Sequence, residues 1–372
     1  MGVVDVEKLW EALEQAKLDA IVAISPENVL YLSGVNIITQ RLIPERLALV
    51  VWPRDGVPTV VVCIHEEPQV RHSGRIADIR TYFEFAESPL AACAAVIAEK
   101  GLDAGRIGIE KRFVTAQHYE EWMARLPIAH PIAADNLFAD LRMIKTNEEL
   151  RVLESLAQAT DQAIRFAFEH AQAGHTERAV ASVMREYLLA QPVDDIHALM
   201  FGAGPNAHLI HQLPTDYALK QGDVCRVDMG GVRGGYLSDL ARSAVVGAPT
   251  RQQQDAYLRL WAVHETVIAS VRPGIAVSEI YAAYERISKT HGIFRRRPHI
   301  GHGLGLGMHE PPMITPHGTQ VLCDGMVLCI EYTCLLADGL FHVEDTVHLV
   351  GRGCRILSRS ADWSTLPMIG VF

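Results

Sequence analysis

Four carboxylates on two apolar strand pairs constrain this chain more than any other feature of it. Asp223-Val224-Cys225-Arg226-Val227-Asp228-Met229 reads as a strand, Gly230 to Gly235 as a turn, and Tyr236 to Val246 as the returning strand. Asp228 and Asp239 are eleven residues apart, about a centre between Arg233 and Gly234. That register sets them opposite each other, with Cβ atoms roughly 5 Å apart. The pattern recurs downstream. Gly325 to Glu331 is a mostly apolar strand, Ala337-Asp338-Gly339 supplies a turn, and Leu340 to Val350 returns. Glu331 and Glu344, thirteen apart, face each other in the same way. Like charges opposed in a sheet repel. At about 4 Å and an effective dielectric near 20, each repulsion is on the order of 4 kcal/mol. A solvated strand face would explain either pair alone. Two pairs on otherwise apolar strands call for counter-charge, and two divalent cations would neutralise all four carboxylates.

A candidate ligand of another kind lies in Gly301-His302-Gly303-Leu304-Gly305-Leu306-Gly307-Met308-His309-Glu310-Pro311-Pro312, a run that a glycine-rich turn alone would also explain. Glycine lets the backbone approach other groups closely, and a histidine fixed in such a run suits a metal ligand or a hydrogen-bond donor. Hard oxygen ligands with one imidazole suit Mn²⁺, Co²⁺, Fe²⁺ or Zn²⁺, with Mn²⁺ first for so many carboxylates.

At 372 residues the chain is long for one core, so two domains are expected. With 49% hydrophobic and 21% charged residues it has apolar material for sizeable cores and is not disordered. The first part alternates helices (7–17, a short one through Leu32, 89–100 and 115–125) with strands (20–24, 46–52, 58–64 and 106–110), an α/β pattern without a catalytic constellation. Thr146 and Glu149 form a capping box ahead of a long amphipathic helix that ends at Gly174, which sets a boundary near residue 145. Thr176 starts a helix to about Leu189. Helices 251–271 and 278–291 follow, capped by Thr250 and Ser278. With the β-rich segments between and after them, the second domain, residues 146–372, is α+β.

The net charge of -10 argues against nucleic acid or an anionic membrane as partner, and the short cluster Arg295-Arg296-Arg297 does not reverse it. No run approaches 18 apolar residues, so no membrane span is expected. The seven cysteines are odd in number and mostly lie in apolar runs, as buried reduced thiols of a cytoplasmic protein would. The N-terminus is charged and amphipathic, unlike a signal peptide. Met1-Gly2 begins like a myristoylation signal, but Val6 stands where Ser or Thr is needed.

With Asp228, Asp239, His302, Glu331 and Glu344 in that order, the second domain resembles the pita-bread metallohydrolases, which include methionine aminopeptidase, aminopeptidase P, prolidase and creatinase. The resemblance spans roughly residues 146–350. It rests on Val227-Asp228-Met229-Gly230, Ser238-Asp239, Gly301-His302-Gly303-Leu304-Gly305 with His309, Ile330-Glu331, and Glu344-Asp345-Thr346-Val347. The segment Asn206 to Asp216, with His211, looks like the family's substrate-side histidine segment. Residues 1–145 look like the creatinase/prolidase N-terminal domain, through Leu18-Asp19-Ala20 and Ser25-Pro26-Glu27-Asn28-Val29-Leu30-Tyr31-Leu32-Ser33-Gly34. Methionine aminopeptidases usually lack that domain, so the resemblance favours the two-domain branch.

The resemblance implies that Asp228 and Glu344 bridge two metal ions, Asp239 binds one, and His302 with Glu331 binds the other. It implies a hydroxide between the metals as nucleophile, and Glu331 also as general base that passes a proton to the leaving nitrogen. His211 and His309 would hydrogen-bond the substrate carbonyl and the tetrahedral intermediate. The activity implied is Xaa-Pro dipeptidase or aminopeptidase, on a small peptide, in a homodimer. Creatinase works without metal and replaces several of the five ligands, which are intact here.

One position departs from the pattern. Prolidases and aminopeptidases P usually carry arginine two residues before the last glutamate, holding the substrate end, and here it is His342. Histidine is mostly neutral at pH 7 and makes no bidentate guanidinium contact. Arg295, Arg296 or Arg297 is the nearest replacement charge, although a solvated turn also accounts for the triplet. His299 lies three residues before His302, where relatives place a pocket histidine four before; His208 is a weaker candidate. His342 would also fit a small non-peptide substrate, as in the ectoine-hydrolase and sulfonium-compound-lyase relatives. A non-catalytic binding module is the third reading, and five intact ligands argue against it.

Overall fold

A computed structural model describes residues 4–43, 45–337 and 339–370. Met1-Gly2 and Asp338 of the second hairpin turn lie outside the described residues. The chain divides into two compact units, one up to Arg142 and one from Met143.

The first unit alternates helix and strand in the order α1 (Val6–Gln15), β1 (Ala20–Ala23), α2 (Pro26–Ser33), α3 (Ile38–Leu42), β2 (Leu49–Pro53), β3 (Thr59–Cys63) and α4 (Glu67–Ser73). It continues with β4 (Asp78–Tyr82), α5 (Pro89–Glu99), β5 (Arg106–Ile109), α6 (Ala116–Arg125), β6 (His130–Ala133) and α7 (Asp135–Met143). One mixed sheet runs β4-β3-β2-β1-β5-β6, antiparallel at β1–β2 and β2–β3 and parallel elsewhere. The apolar runs of β1 and β3 are buried along their whole length, as strands covered on both faces must be. Ser25 caps α2 through the Asn28 N–H, with Pro26 at the tolerated first position, and Gly34 closes the helix at φ 77.

The second unit opens with α8 (Asn147–His170), α9 (Glu177–Leu189), β7 (Asp195–Ala203), β8 (Val224–Arg233), β9 (Tyr236–Leu237) and β10 (Leu240–Val246). Then come α10 (Arg251–Ile268), α11 (Val277–Thr290), β11 (Gly301–Gly303), β12 (Val327–Leu335), β13 (Leu340–Val350), β14 (Gly353–Ile356) and β15 (Met368–Ile369). Thr146 and Glu149 form the capping box of α8, and Thr250 with Gln253 that of α10. Several details differ from the sequence reading, among them β8, which runs on through Gly230 to Arg233 where a turn was expected, and α10, which ends at Ile268. Helix α8 stops at His170, and Gly174 serves the following turn, its N–H donating to Leu219 O. Helix α11 starts at Val277, so Ser278 lies inside the first turn and the cap comes from Glu279, which accepts from the Ala276 N–H at 3.0 Å.

Two sheets carry the chemistry, β15-β10-β8-β7 with β9 beside β8, and β11-β12-β13-β14. An apolar core of this unit runs from Phe201, Val227 and Leu240 to Ile330, Phe341 and Val347. In the second hairpin Glu331 pairs directly with Glu344. The first hairpin has another register. Asp228 opposes Ala241, and Asp239 is displaced two residues toward the turn. The reason is the turn itself. Gly234 and Gly235 both take positive φ, 58° and 85°, as the two central residues of a type I′ turn do, so the centre falls between them rather than before Gly234. A shift of two keeps Asp239 on the face of Asp228, as its diagonal neighbour.

All seven cysteines are free thiols, and five of them are buried. Among the described residues no helix is long and apolar enough to cross a membrane.

Candidate metal centre and active site

Strand alternation brings the predicted ligands to one place. On β12 and β13 the pairs Cys329–Thr346, Glu331–Glu344 and Thr333–His342 succeed each other at period two, so they share a face. On β8, Arg226 and Asp228 share a face for the same reason. His302 sits on β11, paired with Cys329. Only glycine fits on either side of it, because a Cβ at Gly301 would meet Cys329 O and one at Gly303 would meet Pro311 O. The run then closes on itself. Gly303 and Glu310 exchange backbone hydrogen bonds of 2.8 and 2.9 Å, and the Glu310 carboxylate accepts from the Gly307 N–H. Lys145 lies 3.2 Å from that carboxylate, and both side chains are buried.

The result is a cavity of about 330 Å³ lined by Asp228, Asp239, His302, Glu331 and Glu344. His211, His299, His309, His342 and Arg295 to Arg297 line it too, whereas His208 does not. His302 Nε2 lies 3.7 Å from Asp239 Oδ2 and 3.9 Å from Glu344 Oε1, beyond hydrogen-bond reach. Its Nδ1 is 3.1 Å from Gly303 O, so Nδ1–H donates there and the Nε2 lone pair faces the carboxylates. The rings of His302 and His309 lie 4.0 Å apart, with His299 5.6 Å from His309.

The ionisable groups split in their behaviour. Burial, then the charges of Asp228 and Glu331, pushes Asp239 well above the usual carboxylate range. Burial, then Asp239 and Glu331, does the same to Glu344. Burial opposes ionisation of Glu331 as well, but His342, Arg297 and His299 outweigh it and hold that carboxyl below its ordinary value. Arg297 Nη2 is 2.9 Å from Glu331 Oε2, His342 Nε2 is 3.3 Å from the same oxygen, and His299 Nδ1 is 3.4 Å from Oε1. Burial, then His309, lowers His302 to about 4, so its ring is neutral at pH 7.

Together Asp239, His302, Cys329 and Glu344 hold ligand atoms within 4.8 Å of one another, as do Glu331, His342 and Glu344. The chain matches the model of metallopeptidase family M24 over residues 151–353. It is a member of metallopeptidase family M24. A Creatinase/Prolidase N-terminal domain matches residues 6–144, so this M24 chain belongs to the two-domain branch, and its second unit is the pita-bread catalytic domain. It is 31% identical to the Xaa-Pro dipeptidase of Pyrococcus furiosus over 61% of this chain and 66% of that one. With the Xaa-Pro dipeptidase of Pyrococcus horikoshii it shares 24% over 95% of this chain and 97% of the relative. The crystal structure of dipeptidase PepE from Mycobacterium ulcerans superposes with a TM-score of 0.85 at 25% identity, covering 98% of this chain and 96% of that one. Membership of M24 implies divalent metal ions, and the buried cluster is the candidate site for them.

Three residues of this M24 site escaped the sequence reading. Arg226 is fully buried, 3.6 Å from Asp228 Oδ2 and 3.4 Å from His342 Nδ1, and its guanidinium donates to Leu209 O and Ile210 O. Cys329 and Thr333 flank Glu331 at two residues on either side. Period two from Asp228 and Glu331 would have found all three.

His211 is held from a distance. Glu177, fully buried in the first turn of α9, accepts from Ala203 N at 2.8 Å, Asn206 Nδ2 at 3.0 Å, and Thr215 N and Oγ1 at 2.8 and 2.6 Å. It therefore pins both ends of the segment that carries His211. Glu177→Ala leaves these donors without their anion, and the expected cost is about 3 kcal/mol, read from urea unfolding. KM should rise while metal content stays unchanged. A variant with wild-type KM would show that His211 is positioned by something else.

Proposed function

We propose that this M24 metallopeptidase is a dinuclear enzyme that cleaves Xaa-Pro bonds in dipeptides and short peptides. The observation that carries this reading is the convergence of four carboxylates and one imidazole on a single cavity wall. The donor set fits a pair of cations. Glu344 Oε1 is buried without a hydrogen-bond partner. The gaps of 3.7 and 3.9 Å from His302 Nε2 to Asp239 Oδ2 and Glu344 Oε1 leave room for a cation that these side chains would hold. Asp239, His302 and Glu344 would hold one ion, unlike the split the resemblance implies, and Asp228 and Glu331 would complete the ligand set of the pair. Oxygen-rich donors with one imidazole favour Mn²⁺, ahead of Co²⁺, Zn²⁺ and Fe²⁺. Burial pushes the Cys329 thiol up, which disfavours a soft thiolate beside the oxygen donors.

When bound, the ions supply a water that ionises near neutral pH and withdraw charge from the scissile carbonyl. Glu331 takes up the proton of the attacking water and delivers it to the leaving proline nitrogen. His211 and His309 donate to the carbonyl oxygen as negative charge builds on it. A cavity of about 330 Å³ lies at the small end of ligand pockets, which favours a dipeptide over a long chain. The relatives named Xaa-Pro dipeptidase support the same substrate.

The test is hydrolysis of Xaa-Pro dipeptides, a longer Xaa-Pro peptide and ectoine by the Mn²⁺-loaded protein, with and without chelator. Elemental analysis accompanies it. Two metal ions per chain and chelator-sensitive cleavage of the proline peptides are expected. Silence on every peptide with both ions bound would overturn the peptidase reading in favour of a small non-peptide substrate.

A further inference from the structure

The cavity is rich in carboxylates and histidines, and its cations come from a single stretch. Arg295 and Arg296 are exposed, whereas the Arg297 side chain is 15% exposed and reaches the floor. Its Nη2 lies 2.9 Å from Glu331 Oε2, its Nη1 donates to Thr333 Oγ1 at 2.9 Å, and its Nε is buried without a partner. The backbone behind it is fixed. The Tyr281 hydroxyl donates to Arg297 O at 2.6 Å and accepts from Arg297 N at 3.2 Å, and the Tyr284 hydroxyl donates to Arg295 O at 2.9 Å. Arg226, the other nearby guanidinium, is spent on the Leu209 and Ile210 carbonyls.

We propose that Arg297 binds the C-terminal carboxylate of the substrate and thereby makes the site prefer dipeptides over longer peptides. The proposal rests on the Xaa-Pro reading above and follows from the covalent geometry of a dipeptide. The carboxylate carbon of the leaving residue lies two bonds, about 2.5 Å, from the scissile nitrogen. Whatever binds that carboxylate must therefore sit beside the group that protonates the nitrogen. Arg297 is in direct contact with Glu331, and its planar fork matches a carboxylate. With Glu331 engaged by metal, the fork keeps Thr333 as its anchor and turns its remaining donors to the substrate. In a longer peptide an uncharged amide replaces the carboxylate, and a half-desolvated guanidinium loses its counter-charge. This assigns to Arg297 the contact that His342 cannot make.

The experiment compares an Xaa-Pro dipeptide with its C-terminal amide on Mn²⁺-loaded wild type, Arg297→Gln and Arg297→Lys, with metal content and unfolding midpoint as controls for folding. Wild type should prefer the free acid by about 10- to 100-fold in kcat/KM, the span expected of hydrogen bonds to a charged group. Arg297→Gln should lose that preference, its kcat/KM falling at least about tenfold further on the acid than on the amide and chiefly through KM, with Arg297→Lys in between. Equal losses on acid and amide would overturn the proposal, because Arg297 would then act through Glu331. If no proline peptide is cleaved, the peptidase reading has failed, and calorimetry with L-proline and L-prolinamide still decides the role of Arg297. A preference for L-proline that Arg297→Gln removes upholds it, and equal affinities overturn it.

Discussion

Exchanging Glu331 for glutamine is expected to lower kcat by about 10²- to 10⁴-fold, the range of general acid–base catalysis. Glutamine keeps the size of the side chain and one carbonyl oxygen but accepts no proton. Its amide nitrogen would also face donors. Arg297 Nη2 at 2.9 Å and His342 Nε2 at 3.3 Å both point at the present Oε2. Loss of one anionic ligand weakens metal binding as well, so the rate is to be measured at saturating Mn²⁺ with the bound metal counted. Two ions per chain with a rate still reduced a hundredfold or more would isolate the proton-transfer role. A variant within about threefold of wild type would sink Glu331 as the base.

The second large effect lies behind the site. Arg242 is fully buried between two carboxylates, with Nη2 2.8 Å from Asp161 Oδ1 and 2.7 Å from Asp345 Oδ1. Its Nη1 donates to Glu344 O at 2.5 Å, directly behind a predicted metal ligand. Asp161 further accepts from Ser360 and the Trp363 indole, and Asp345 from Ser358, Arg359 and His264. One network thus joins α8, β10, α10, β13 and the C-terminal segment. Arg242→Met fills the same space but leaves two buried carboxylates short of their cation, and a loss of about 3–5 kcal/mol in urea unfolding is expected. The pH dependence has a definite sign. Burial opposes ionisation of Asp345, but Arg242, His264 and Arg359 outweigh it and hold the carboxyl well below its usual range. A depressed folded pKa stabilises the fold above the ordinary carboxylate value, about 4, and the contribution is lost as the pH falls through the folded value. The deficit of Arg242→Met should therefore be full at neutral pH and shrink below about pH 4. A deficit under about 1 kcal/mol at pH 7 would show that the network adds little net stability.

Much of this was legible in the residues. The caps of α8 and α10 were readable because side chain and backbone three residues apart decide them. Glu331 opposite Glu344 was readable because a hairpin pairs residues symmetrically about its turn. Asp228 and Asp239 were assigned to one face correctly but to the wrong register. Two consecutive glycines at positive φ moved the centre of the turn, and a shift of two residues preserves the face. Alternation also contained Arg226, Cys329 and Thr333, each two residues from a predicted ligand.

The sequence by itself determined the strand faces and the candidate ligands on them, because these depend on local period and turn chemistry, and its motifs carried the resemblance to the two-domain M24 branch. Tertiary structure alone decided which arginine of the three reaches Glu331, since the hydroxyls of Tyr281 and Tyr284 on α11 fix the backbone behind it. It also decided that Glu177 holds the His211 segment and that Arg242 stands behind Glu344. Those contacts join residues far apart in the chain, where burial and the need to satisfy every buried charge, rather than any local pattern, select the partner.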